Sequence, residues 1–352
     1  MAGKKKVLCF MPGSVGGAER MVVTVGKMLS AAGFDVKYVI VGTKHGIEDF
    51  IPEDIAILRI PIRKIYHFGI SRIANVIRKE KPDSVFSSVM YLNCVVLLAA
   101  RFSGTRCIVR NDNGLSLSSR LLFLGMFLTY RMADMVIAQQ QEMREEILCK
   151  LKLPSEKVVT VHNPLDTDLI ESKLKVLSPY KNDDEVRFIN VARFDTAKAQ
   201  DILVRAFYLL RSKIQNAHLY LIGNYDKEEE TYVKVSDFVK ENKMEDYVHI
   251  IGFDKNPYRL EKNAHCFVLS SRIEGLPNAL IEAMYLGLPV VSTTCIPAIS
   301  RMVEEGRNGY LVPVDDVDAM ALAMEKALNL KNIETTYHPS TAEDVVSLFD
   351  CK

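Results

Sequence analysis

The sequence predicts an α/β protein built from two doubly wound, parallel-sheet domains in tandem. Three observations carry that expectation. Apolar strand-like runs alternate with amphipathic helical stretches from end to end, the pattern of parallel sheets covered by helices on both faces. The 352 residues exceed one ordinary domain. The rhythm breaks once, in the polar stretch LDTDLIESKLKVLSPYKNDDE, and then restarts.

In the first half the strand-like runs are VLCFM, VKYVIVG, IAILRI, SVFSSV, RCIVR, MVIAQ and VVTVH, with helical segments such as ERMVVTVGKMLSAAG, ISRIANVIRKEKPD and EMREEILCKLKL between them. The second half repeats the rhythm with VRFINVA, a helix from Gln200 to Ile214, HLYLIG, a helix from Glu229 to Asn242, VHIIGF, CFVLSS, PVVST and GYLVP. These runs place a first domain at 1–165, a hinge at 166–185, a second domain at 186–330 and a tail at 331–352. STAEDVVSLFDCK in the tail reads as a short helix that packs back on the first domain. Two such domains are expected to face each other across a cleft, because open α/β sheets bind ligands at their carboxyl edges.

Composition narrows the function classes. Hydrophobic residues make up 48%, charged residues 25%, and the formal net charge is +1. A balance this close to neutral argues against a general nucleic-acid binder. The seven cysteines form an odd set without a Cys-x-x-Cys pair, and Cys9, Cys107 and Cys266 fall inside strand-like runs. They read as buried thiols in a reducing cytoplasm. The N-terminal MAGKKKVLCFMPGS loses its apolar character at Pro12 and Gly13, so it reads as a first strand and not a signal peptide. LLFLGMFLTY, bracketed by Arg120 and Arg131, is the longest apolar run. It falls short of the roughly 18 residues that a spanning helix needs.

Four constellations could carry chemistry. EGLPNALIE places Glu274 in the turn after a strand and Glu282 one turn inside a helix that Pro277 opens and Gly287 closes. The amides of Asn278, Ala279 and Leu280 then point outward with the positive end of the helix dipole, which suits a phosphate. Glu282 can accept from a vicinal diol such as a ribose, and Glu274 from hydroxyls beyond the phosphates. About five or six acidic pairs at this offset are expected by chance in such a chain, so the strand–turn–helix context must carry the claim. In VARFDTAKAQDILVRAF, Arg193 leaves a strand and Lys198 precedes a helix, so both cations can converge on one diphosphate. MPGSVGGAERM lets the backbone at Gly16 and Gly17 approach a ligand at a helix start. Its glycines miss the G-x-G-x-x-G spacing and VIVGTK supplies no ribose acid, which argues against a nicotinamide cofactor. The fourth is negative: Asp166-Thr167-Asp168 and Asp316-Val317-Asp318 are acid-x-acid triplets, but one lies in the hinge and the other caps a late helix.

Taken together, Glu274 and Glu282, Arg193 and Lys198, and Gly16-Gly17-Ala18-Glu19 resemble a retaining glycosyltransferase of family 4, with its two-domain GT-B fold, from the first strand to about Leu330. The resemblance implies that Glu282 binds the nucleotide ribose, Glu274 contacts the donor sugar, and the amides of Asn278 to Leu280 hold phosphate. Arg193 and Lys198 would stabilise the departing diphosphate, and Gly252 and Phe253 would lie against the base. It implies a uridine diphosphate sugar as donor, a hexose or N-acetylhexosamine as the sugar, a glycan or lipid-linked glycan as acceptor, and no metal or organic cofactor. Two cations, a helix N-terminus and the Gly16-Gly17 amides would neutralise the charge that grows on the leaving group.

One departure matters. Many relatives carry a histidine at the end of a first-domain strand, where RCIVRNDNGL offers Arg110, Asn111 and Asp112, and Asn111 is the expected sugar contact here. The apolar helix from Ser118 to Met132, with flanking arginines, could bring the first domain against the inner face of a membrane; a helix buried in the domain is the favoured reading. The same fold also serves a nucleotide-sugar epimerase, sugar phosphorylases and non-catalytic nucleotide-sugar binders.

Overall fold

The structure, a computed structural model, describes residues 4–62, 69–115, 118–177, 180, 184–331, 333–335 and 337–350. Residues 1–3 of the N-terminal stretch, 178, 179 and 181–183 of the expected hinge, and 332, 336, 351 and 352 of the expected tail lie outside that set. The chain divides into two compact units, residues 1–165 with 338–352, and residues 166–337.

The first unit holds a seven-stranded parallel sheet in the order β3-β2-β1-β4-β5-β6-β7. Its strands are β1 (Lys6–Pro12), β2 (Asp35–Val41), β3 (Ala56–Ile60), β4 (Ser84–Ser87), β5 (Arg106–Arg110), β6 (Met135–Ala138) and β7 (Val158–Thr160). The helices between them are α1 (Gly17–Ala31), α2 (Gly69–Glu80), α3 (Met90–Ala100), α4 (Arg120–Thr129) and α5 (Gln141–Leu151). β1 explains why the strands read as continuous apolar runs. Leu8 and Phe10 point into one core with α2, α3 and α5, while Val7, Cys9 and Met11 point into another with α1. Both faces are covered, so every position after the partly exposed Lys6 is apolar.

The second unit holds a six-stranded parallel sheet in the order β10-β9-β8-β11-β12-β13. It comprises α6 (Thr167–Lys173), β8 (Val186–Val191), α7 (Gln200–Arg211), β9 (Ala217–Ile222), α8 (Glu230–Glu241), β10 (Val248–Gly252), α9 (Tyr258–Glu261), β11 (Cys266–Leu269), α10 (Asn278–Tyr285), β12 (Val290–Thr293), α11 (Pro297–Met302), β13 (Gly309–Val312) and α12 (Val317–Ala327). α6 lies inside the stretch read as a hinge. Asp166 caps it by accepting from the Leu169 amide at 3.1 Å, and the Asn256 amide closes its far end on the Lys173 carbonyl at 2.9 Å. Asp316 caps α12 in the same way, accepting from the Ala319 amide at 2.9 Å.

α13 (Ala342–Asp350) belongs to the first unit. Thr341 and Asp344 cap it reciprocally, each accepting from the other's backbone N–H. Val345 and Phe349 enter the core of α1 and β1, and the Phe349 ring meets Phe86 edge-on at 5.9 Å. Among the described residues no helix is long and apolar enough to cross a membrane. α4 departs from the favoured reading of a buried helix, because Leu121, Leu124 and Leu128 stand exposed on it.

One polar cluster on the second sheet sets a pH dependence. His218 and His249 stack with rings 5° apart, their Nδ1 and Nε2 separated by 3.0 Å, and Tyr220 stacks on His249 while donating to Glu185 at 2.9 Å. Burial lowers the pKa of both histidines, with Arg211 and Arg187 adding to the effect at His218 against Glu185, and burial beside Arg187 lowers that of His265. Unfolded imidazoles titrate near 6.5. Below that pH the unfolded chain binds protons that the folded unit refuses, so stability is full above about 6.5 and falls as the pH drops. Thermal melts between about pH 7.5 and 5.5 are expected to show this fall, and a His249→Asn variant to show a shallower one. Equal slopes for the two proteins would contradict the assignment.

Candidate active site at the carboxyl edge of the second sheet

In the second sheet the chain runs outward from β8 to β9 on one side and to β11 on the other. The crevice between the carboxyl ends of β8 and β11 is therefore the topological switch point, where doubly wound sheets bind ligands. The turn after β8 is shaped by Asp195, whose carboxylate accepts from the Ala197 amide at 2.9 Å and whose carbonyl accepts from the Lys198 amide at 2.8 Å. Ala199, fully buried, then takes a left-handed conformation (φ 52°) before α7 begins. A non-glycine residue in that region stores strain, and such strain collects at functional turns.

The turn after β11 is stitched to it. Ser270 donates to the Lys198 carbonyl at 2.8 Å, and the Arg272 amide donates to the Ala197 carbonyl at 2.8 Å. Across this seam Lys198 Nζ donates to Glu274 Oε1 at 2.7 Å, and Ser271 Oγ donates to the same oxygen at 2.6 Å. Two residues separated by 76 positions are thus an ion pair, with side chains 24% and 8% exposed. Arg193 stands further out, 65% exposed, and pairs with Asp195 at 2.8 Å. Burial works against the charge on Asp195, yet the Ala197 amide and Arg193 hold its carboxyl below the ordinary value.

Arg272 carries no role in the sequence reading and turns out to be central. Its guanidinium donates to the Thr196 carbonyl at 2.7 Å, to both oxygens of Asp201 at 3.3 and 3.2 Å, and to Asp315 at 2.6 Å. One planar fork therefore ties the Lys198 turn, the start of α7 and the turn after β13 together. The only sequence signal for it is its place in SSRIEG, two residues before Glu274.

Glu282 lies on α10, 5% exposed. The helix begins one residue later than expected: Pro277, with ψ 99°, is the cap and not the first helical residue. The first intrahelical bond runs from the Ile281 amide to the Pro277 carbonyl at 3.2 Å, so the amides of Asn278, Ala279 and Leu280 precede the helical ladder. At the other end Gly287 adopts φ 75°, and the Leu288 and Gly287 amides bond the Ala283 and Met284 carbonyls. This left-handed glycine closure fixes the length of α10 and hence the position of Glu282.

Gly252 and Phe253 lie along the same edge. The Gly252 carbonyl accepts from the Gly223 amide at 2.9 Å, and Phe253 is 47% exposed. At Gly223 a Cβ would stand 1.9 Å from the Ala192 carbonyl oxygen, so only glycine lets the end of β9 approach the end of β8.

In the first unit Gly16 and Gly17 follow β1, at the switch point where the chain leads outward to β2 and β4, whereas Asn111 follows β5, two strands along from β1. Gly16 caps α1 in an extended conformation and Glu19 accepts from Ser14 at 2.9 Å. Asn111 is fully enclosed at the end of β5. Its carboxamide accepts from Tyr130 at 2.7 Å and donates to the Asn113 carbonyl at 3.0 Å, while its own carbonyl accepts from Gln139 at 2.8 Å. Arg110 beside it donates to Ser88 at 2.8 Å and to Asn163. Burial pushes the Asp112 carboxyl above its ordinary value, against the pull of Arg110. Asn111 thus holds the turn from inside, and Asp112 and Asn113 are the more accessible members.

Two Rossmann-like parallel-sheet units in tandem, with charged side chains gathered at the switch point of the second, define the GT-B class. The description Glycosyltransferase Family 4 matches residues 15–169, and Glycosyl transferases group 1 matches residues 185–330. The chain belongs to this glycosyltransferase family. An uncharacterized glycosyltransferase of Methanocaldococcus jannaschii, MJ1059, is 33% identical over 241 residues, covering 64% of this chain and 58% of that protein, so the chain matches less than two thirds of that relative's length. The N-acetylgalactosamine-N,N'-diacetylbacillosaminyl-diphospho-undecaprenol 4-alpha-N-acetylgalactosaminyltransferase of Campylobacter jejuni is 24% identical over 346 residues, 92% of this chain and 89% of that one. Among solved structures, Anabaena Alr3699/HepE in complex with UDP and glucose aligns with a TM-score of 0.76 at 17% identity, over 98% of this chain and 94% of that chain. That last likeness is one of fold.

Proposed function

We propose that the protein is a retaining, metal-independent glycosyltransferase. It moves a hexose or N-acetylhexosamine from a UDP-sugar to a glycan or lipid-linked glycan acceptor in bacterial surface-polysaccharide biosynthesis. The observation that carries this reading is the Lys198–Glu274 ion pair beside the α10 N-terminus, with Glu282 one turn inside that helix. The lipid-linked class of acceptor draws support from the Campylobacter jejuni relative, whose name specifies a diphospho-undecaprenol glycan.

In this reading Glu282 accepts from the ribose hydroxyls, the ends of β9 and β10 with Gly252 and Phe253 receive the base, and the amides of Asn278 to Leu280 face phosphate. Lys198, already held by Glu274, takes the diphosphate as a second anion, and Arg193 supplies a further positive charge from the rim. Glu274 meets the sugar hydroxyls. Gly16 and Gly17 offer backbone amides, and Asn111 shapes the turn that Asp112 and Asn113 present to the sugar. As the glycosidic bond breaks, negative charge grows on the diphosphate where fixed cations and amides already stand, which is the preorganised stabilisation that lowers a barrier most. The acceptor hydroxyl enters on the face the diphosphate leaves and passes its proton to that diphosphate, so configuration is retained.

The test is a transfer assay in chelator with anomeric analysis of the product, beside thermal shifts with nucleoside diphosphates. UDP is expected to raise the melting temperature, because a ligand that binds only the folded state stabilises it. Turnover is expected to persist without divalent cations. Loss of turnover restored by manganese or magnesium would overturn the metal-independent mechanism, and an inverted product the stereochemistry. Release of an isomerised sugar without acceptor would replace transfer by epimerisation.

A further inference from the structure

We infer that the outward face of α4, with the end of α3, is a docking surface for an anionic lipid bilayer. Leu121, Leu124 and Leu128 are 77%, 52% and 59% exposed, and their spacing puts them on one face of the helix. Phe102, just past α3, is 91% exposed, and Leu98 on α3 is 36% exposed. The inner face of α4 is already spent: Met126 and Thr129 are buried, and Leu122, Phe123 and Phe127 pack on the core. A surface helix of a globular domain turns a polar face outward. α4 turns leucine outward, and single exposed leucines are ordinary where a contiguous row is not.

Charge selects the occupant. Between Asp83 and Asp134 the sequence holds five arginines and one acid, Asp112. Arg110 and Asp112 belong to the network at the end of β5. Arg101, Arg120 and Arg131 remain exposed at the borders of the apolar face. Arg131 lies over the Phe127 ring at 4.5 Å and Arg101 over Phe102 at 5.4 Å, so the guanidinium groups border the aromatic rings. A second copy of the same face would bring cation against cation, whereas anionic headgroups complement the arginines while acyl chains receive the leucines. α4 spans ten residues, a length that lies in an interface and does not cross it. The scarcity of acids on this flank, the exposed leucines and the arginines over aromatic rings are independent of the donor site, so the surface stands whatever sugar is moved.

Flotation of the full chain with phosphatidylglycerol–phosphatidylcholine vesicles, beside pure phosphatidylcholine vesicles, tests it. The protein is expected to float with the anionic vesicles and to be released by salt. Leu124→Ser with Leu128→Ser should lower the bound fraction at least about ten-fold, since the apolar anchor is lost. Arg120→Gln with Arg131→Gln should erase the preference for anionic over neutral lipid. All four positions are on the surface, so unchanged melting temperature and UDP binding would confirm that the variants are folded and the donor site intact. Wild-type protein that fails to float with anionic vesicles overturns the proposal, as does equal binding by the serine variant. A concentration-dependent dimer that the same serines abolish, without any vesicle binding, overturns it in favour of a second copy.

Discussion

Lys198→Ala is expected to slow glycosyl transfer by about 10²–10³ and to weaken donor binding far less, because in the proposed arrangement its charge is aimed at the leaving group and matters most as negative charge develops. The same substitution strips the 8%-exposed Glu274 of its cation and leaves it with the Ser271 hydroxyl. A buried charged acceptor that loses one partner costs about 1–3 kcal/mol, so the variant also melts earlier. The two losses separate in Lys198→Ala/Glu274→Gln, which removes the stranded charge. Stability is expected to recover while turnover does not. Near-normal turnover in folded Lys198→Ala would show that the diphosphate lies elsewhere. Arg193→Ala is expected to follow the same pattern with a smaller loss, since its guanidinium is 65% exposed and shared with Asp195.

The two turns that make this pair differ in how they were legible. Every strand could be read from the sequence, because strands covered on both faces are apolar at most positions: Val7 to Met11 of β1 run unbroken, and in β8 the buried Arg187 and Asn190 interrupt the run without hiding it. Helices with one wet face, such as α2 and α8, were legible by their periodicity for the same reason. α3 was not: MYLNCVVLLAA is apolar almost all round, packs against α2 and α4, and carries no helical rhythm to separate it from a strand. α4 could be seen as apolar, but its orientation could not, since nearly every position offers the same side-chain chemistry.

The site divides likewise. Glu274, Glu282, Arg193 and Lys198 stand beside strand ends and helix starts, so local punctuation placed them at one sheet edge. Arg272 was invisible because its meaning lies in Asp201 and Asp315, 71 and 43 positions away. Asn111 could be placed at a strand end, whereas its commitment to Tyr130, 19 positions on, follows only from how the 3-10 turn after α4 packs against β5. Contacts made across the fold leave no trace in local spacing. The turns they pin are nevertheless what holds the charged groups still, and a preorganised site depends on such supports.

The two glutamates of EGLPNALIE are expected to fail in different ways, since one meets what all nucleotide sugars share and the other meets the sugar. Glu282 is enclosed on α10, whose ends are fixed by the Pro277 cap and the Gly287 closure. Glu282→Gln keeps the shape and replaces a charged acceptor by a neutral amide, and hydrogen bonds to charged groups are worth roughly 1.5–3 kcal/mol each. UDP and intact donor should both bind about ten-fold or more weakly in that variant. Glu274 touches no part of the nucleotide in the proposed arrangement; its partners are Lys198 and Ser271. Glu274→Gln should leave UDP affinity nearly unchanged while lowering turnover and relaxing the choice between sugars that differ at the hydroxyls it contacts. It also releases Lys198 from its ion pair, so a modest gain in UDP affinity is consistent with the same geometry. Calorimetry with UDP and with donor, beside kinetics on both variants, distinguishes these outcomes. Equal loss of UDP affinity in the two variants would show that both carboxylates serve the nucleotide, and the sugar contact would then have to be sought at the Asp112 turn.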